Sequence, residues 1–79
     1  MSRDLEIAVL MKDKCTESEA IKHLDKGTIV FENPDEWIDS LKDCNCYEGE
    51  TIEDVRARKV PDVSIVEYDG HEYLIEYCL

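Results

Sequence analysis

Val63-Ser64-Ile65-Val66-Glu67-Tyr68, then Asp69-Gly70, then His71-Glu72-Tyr73-Leu74-Ile75-Glu76-Tyr77 is the stretch that decides the fold. Two runs rich in β-branched and aromatic residues flank a dipeptide that tolerates positive φ at both positions. This predicts a β-hairpin closed by a type I′ turn. A two-residue turn also sets the register, with Tyr68 opposite His71, Val66 opposite Tyr73 and Glu67 opposite Glu72. Side chains alternate along a strand. One face therefore takes Ser64, Val66, Tyr68, His71, Tyr73, Ile75 and Tyr77, and the other takes Val63, Ile65, Glu67, Glu72, Leu74 and Glu76.

Two tensions follow from that register. Glu67 and Glu72 form a like-charge pair, which costs stability, so either the register differs by one residue or this face meets something positive. The tyrosines are expected to cover the core beneath the helices. Base stacking, the other use of an aromatic sheet face, is opposed by the acidity of the chain. The aliphatic patch of Val63, Ile65 and Leu74 must then be covered by something else or lie at a partner interface.

Upstream of the hairpin, local signals mark four helices and one strand. Thr51 with Asp54 predicts a short capped helix to about Arg58, which Val60-Pro61-Asp62 breaks. Residues 44–50 read as a loop. Asn33 as cap and Pro34 at the first helical position open a helix to about Asp43, with Trp37, Ile38 and Leu41 on its inner arc. Thr28-Ile29-Val30-Phe31 reads as a buried strand. Thr16 and Glu19 form a capping box for a helix over 16–26, and Gly27 suits its C-terminal left-handed position. Ser2 or Asp4 can start a first segment through about Lys14. Its apolar residues Leu5, Ile7, Ala8, Val9, Leu10 and Met11 run nearly all round the wheel, so it reads as a helix buried on several sides, with a buried strand as the alternative.

These elements predict one small α+β domain over residues 1–79, in the order α-α-β-α-α-β-β. Its helices are expected to pack on one face of a three-stranded sheet that ends in the C-terminal hairpin. The expected core includes Leu5, Val9, Ile21, Leu24, Ile29, Phe31, Trp37 and Leu41. A chain of 79 residues buries only about 60% of its unfolded surface, which leaves little room for a deep catalytic cleft.

Charge is the unusual property. Twenty acids against nine bases give a net charge of −11. Residues 1–27 carry six acids and five bases, and residues 28–79 carry fourteen and four. Such a field repels nucleic acid and anionic membrane and attracts basic protein surfaces. No secretory signal is visible, so a cytoplasmic location with reduced thiols is expected.

The acids are patterned. Asp35, Asp39 and Asp43 recur every fourth residue with Glu36 beside them, opposite Trp37 and Leu41. Consecutive members lie about 6 Å apart along a helix axis, a spacing at which like charges destabilise a helix. A local rule broken without visible compensation points to function. The expected role is a phosphate-like row of charges for a basic groove, extended by Glu48, Glu50 and Glu53. The bland reading is a solvated helix face.

Glu48, Glu50, Glu53 and Asp54 could also offer oxygens to calcium, but the EF-hand framework is absent. Cys44 and Cys46 are separated by one residue where structural zinc sites use two to four, and Cys15, Cys78, His23 or His71 would have to be brought in by the fold. No nucleophile elbow, phosphate-binding loop, dinucleotide fingerprint or H-E-x-x-H motif occurs, so no catalytic residue and no cofactor is assigned. The expected function is a non-enzymatic interaction protein that meets a basic protein surface, in its sharpest form as a nucleic-acid mimic. A metal-binding protein and a homodimer formed through residues 5–11 or the hairpin are the alternatives.

Overall fold

In a computed structural model of the chain, the residues described are 2–43, 51–58, 60 and 62–78, with the backbone alone at 42 and 43. The hairpin forms as its turn dictates. Strands β2 (Val63–Tyr68) and β3 (His71–Glu76) are antiparallel, and Asp69 and Gly70 hold φ of 53° and 76°. The pairs Tyr68–His71, Val66–Tyr73 and Glu67–Glu72 all occur, so the register is not shifted. Strand β1 (Ile29–Phe31) pairs antiparallel with the other edge of β3, giving the order β1-β3-β2.

Local chemistry sets the helix ends. Helix α1 (Arg3–Lys12) starts at Ser2, whose hydroxyl accepts from Leu5 N–H at 3.2 Å. Helix α2 (Glu17–Lys26) carries the expected capping box: Thr16 Oγ1 accepts from Glu19 N–H at 3.2 Å, and Thr16 N–H donates to Glu19 at 3.0 Å. Its far end is a Schellman closure. Gly27, at φ 110°, donates to Leu24 O, and Thr28 donates to His23 O at 3.0 Å. Helix α3 (Pro34–Asp43) follows β1, and the short α4 (Ile52–Arg56) is capped reciprocally by Thr51 and Asp54.

The placement of the helices differs from expectation. They do not share one face of the sheet. Helices α1 and α2 cover one face, where Val9, Leu10 and Ala20 pack with Val30, Val66, Tyr73 and Ile75. Helices α3 and α4 cover the other, where Trp37 and Val55 close on Leu74 with Phe31, Val63 and Ile65 around them. The physical reason lies in β3, whose Tyr73, Leu74 and Ile75 are consecutive and all buried. Consecutive residues point to opposite faces, so an unbroken apolar run on the central strand requires cover on both. The aliphatic patch of Val63, Ile65 and Leu74 is thus roofed by the chain itself. Ile29 is a second correction: it is 47% exposed at the sheet edge, and Val30 is the inward residue of β1.

Candidate functional site

The acidic outer surface is built from α3 upward. Trp37, 2% exposed, lies against the sheet, and its indole N–H donates to Glu76 Oε2 at 2.6 Å. Ile38 and Leu41 pack beside it. With that arc turned inward, the helical repeat sends Asp35, Glu36 and Asp39 outward, and all three are exposed. Asp35 and Glu36 lie in the first turn, where the helix dipole favours them. Asp39 lies beyond that turn and lacks this compensation. Asp43 is the last residue of α3, and its side chain, with Glu48 and Glu50, lies outside the described residues. Glu53 is exposed on α4, which packs next to α3 on the same face of the sheet.

Other acids are occupied by the fold. Asp54 belongs to the α4 capping box through bonds of 3.0 to 3.2 Å with Thr51, its Oδ2 accepting from both the Thr51 N–H and the Thr51 hydroxyl, which ties this carboxylate to the helix cap. Glu76 accepts from Trp37. Asp25 is paired with Arg3 at 2.7 Å. Glu72 receives both guanidinium nitrogens of Arg56, at 2.7 and 2.8 Å. That hydrogen-bonded cation holds the Glu72 carboxyl below its ordinary range and raises Arg56 in turn. The positive group demanded by the Glu67–Glu72 pair is therefore Arg56, delivered by α4 from within the chain.

The tyrosine face is consumed in the same way. Tyr73 is buried under α1 and α2. The Tyr77 hydroxyl donates to Asp13 Oδ2 and lies 3.9 Å from Cys15 Sγ. Burial and the adjoining Asp13 carboxylate push the Tyr77 phenol well above its ordinary value. Each histidine packs edge-on to a tyrosine: His23 against Tyr77 at 4.9 Å and His71 against Tyr73 at 4.7 Å between ring centroids. His71 Nε2–H also donates to the Glu32 carbonyl.

Cys15 and Cys78 are free thiols, the first half-buried and the second exposed, while Cys44 and Cys46 lie outside the described residues. Among the described residues, no three or more His, Cys, Asp or Glu side chains are placed to hold a metal ion, and no helix is long and apolar enough to cross a membrane. The Trp37–Glu76 and Tyr77–Asp13 bonds were not foreseen. Arg56 could have been, since the like-charge pair called for a cation and α4 carries one of the few in residues 28–79.

Neither protein-family models, nor curated proteins, nor solved structures give a match to this chain.

Proposed function

We propose that the protein is a non-enzymatic interaction module whose acidic outer surface, centred on α3, engages a basic protein surface. The observation that supports this reading is a division among its carboxylates. Asp13, Asp25, Asp54, Glu72 and Glu76 each have a partner inside the fold. Asp35, Glu36, Asp39 and Glu53 belong to the exposed carboxylates with which no described basic side chain is ion-paired, as do Asp4, Glu17, Glu32, Asp62, Glu67 and Asp69. The first four are the ones gathered on the adjoining helices α3 and α4. A basic surface is the complement of such a field, which steers association and falls away with salt. The four-residue recurrence of Asp35 and Asp39 supports the sharper form, in which α3 takes the place of a phosphate backbone in a nucleic-acid-binding groove.

The experiment is capture from a lysate of the source organism on the immobilised chain, beside a variant carrying Asp35→Asn, Glu36→Gln and Asp39→Asn. Unchanged circular dichroism and Tm establish that the variant is folded. The proposal expects a basic protein retained by the native chain, lost from the variant and displaced by added duplex DNA. Retention that the three substitutions leave unchanged overturns it. A partner that DNA does not displace keeps the interaction and removes the mimicry.

A further inference from the structure

Strand β2 forms an edge of the sheet, and among the described residues β3 is its only partner strand. The two-residue turn makes Tyr68 and His71 a hydrogen-bonded pair, so residues 64, 66 and 68 direct their backbone groups to β3. The bond from Tyr77 N–H to Asp62 O at 2.8 Å continues that pattern. Val63, Ile65 and Glu67 therefore direct N–H and C=O away from the sheet. Natural edges are blunted by shortness, proline or inward charge. Strand β1, the opposite edge, has three residues, whereas β2 has six, with Glu67 its one charged side chain and no proline.

A groove of about 540 Å³ follows this edge. Val63, Ser64 and Ile65 line it in succession, so it takes in residues of both sheet faces and runs along the strand. Asp13, at the end of α1, lines it from one side, and Val55 and Arg56 of α4 from the other. Its charges are four carboxylates (Asp13, Asp62, Glu67 and Glu72) against two guanidiniums (Arg56 and Arg58). With Arg56 paired to Glu72 and Asp13 bonded to Tyr77, Asp62 and Glu67 remain against Arg58. The whole chain adds its net charge of −11.

We propose that the free edge of β2 receives an extended, lysine- or arginine-bearing segment of a partner protein as a fourth strand. Main-chain bonds to Val63, Ile65 and Glu67 supply affinity, and the acidic groove selects cationic side chains, the division of labour seen when peptides add to sheet edges. This surface is separate from α3, and its failure leaves the α3 reading standing.

The test uses the whole chain and the peptide acetyl-Lys-Val-Lys-Val-Lys-Val-amide. A second peptide of identical charge carries N-methyl groups on alternate amides and cannot complete a ladder. Binding is followed by NMR, with amide hydrogen exchange as the second readout. The unmodified peptide is expected to bind at least about tenfold more tightly and to slow exchange at Val63, Ile65 and Glu67, since main-chain bonds carry this recognition mode. Glu67→Pro, which removes one outward N–H at an exposed position, should weaken it further than Glu67→Gln. Equal binding of the two peptides means charge attraction alone and overturns the proposal, as does the absence of binding. Slow exchange at those amides in a dimer without peptide assigns the edge to a second copy of the chain and overturns it equally.

Discussion

Arg56 closes on Glu72 with two parallel N–H···O bonds of 2.7 and 2.8 Å, across sixteen residues of sequence. Glu72 in turn faces Glu67 on the neighbouring strand. One guanidinium thus offsets one of the two facing carboxylates and fastens α4 to the sheet.

That relationship predicts a pH- and salt-dependent stability. Glu72 is held below its unfolded value by the Arg56 hydrogen bond. Its contribution is fully present above the unfolded value and is lost as pH falls through the lower folded one. Arg56→Met should therefore melt below the native chain at pH 7. The gap should close on acidification below about pH 4, and narrow in about 1 M salt, where exposed pairs are screened. Adding Glu67→Gln to Arg56→Met should recover part of the loss. Thermal melts across pH check each point.

Trp37 anchors the acidic helix by packing and by one bond. Trp37→Ala should cost about 3–5 kcal/mol, the usual loss for a buried aromatic. Trp37→Phe retains most of the packing but leaves Glu76 without its indole donor, at a cost of about 1–3 kcal/mol. Denaturant unfolding separates the two, and the Phe variant should improve when Glu76→Gln is added.

Tyr77 should behave unlike an exposed tyrosine. Its phenol is raised by burial and by Asp13, so its stabilising contribution is complete below the unfolded value near 10. It is lost as pH rises above that value toward the folded one. Tyr77→Phe should lose about 1 kcal/mol at neutral pH and show a flatter decline in stability above pH 10. Alkaline absorbance titration should show one tyrosine in the native chain ionising only with unfolding.

The reading of α3 predicts a conflict between stability and binding. Asp35 and Asp39 are like charges one helical turn apart. Asp39→Lys converts them to the favourable order of acid before base and should raise stability by about 0.3–0.8 kcal/mol. The same change should weaken partner binding. Gains in both would mean that the aspartate row serves neither.

Much of this fold is written in short-range chemistry. The hairpin register rests on Asp69-Gly70, and α2 and α4 begin where Thr16–Glu19 and Thr51–Asp54 place reciprocal caps. Each of these signals is complete within four residues. The sidedness of the sheet is different. Periodicity marks which arc of α3 is buried but not which face of the sheet receives it, and by itself it is compatible with four helices on one side. The run Tyr73-Leu74-Ile75 was the available clue, because a central strand apolar at successive positions needs two roofs. The Trp37–Glu76 and Tyr77–Asp13 bonds join residues 39 and 64 positions apart, beyond any local rule. The exposure of Asp35, Glu36 and Asp39 was legible from their spacing against Trp37 and Leu41. The commitment of Asp54 to its cap was legible as well, and it sets Asp54 apart from the carboxylates that remain for a partner.

The central claim is that α3 binds through its carboxylates, and the salt dependence of partner affinity tests it most directly. Titration calorimetry with the captured partner at several salt concentrations should give a logarithmic affinity that falls steeply with the logarithm of salt for the native chain. The chain carrying Asp35→Asn, Glu36→Gln and Asp39→Asn should bind more weakly and with a shallower slope. Equal affinities and equal slopes for the two chains would contradict the account.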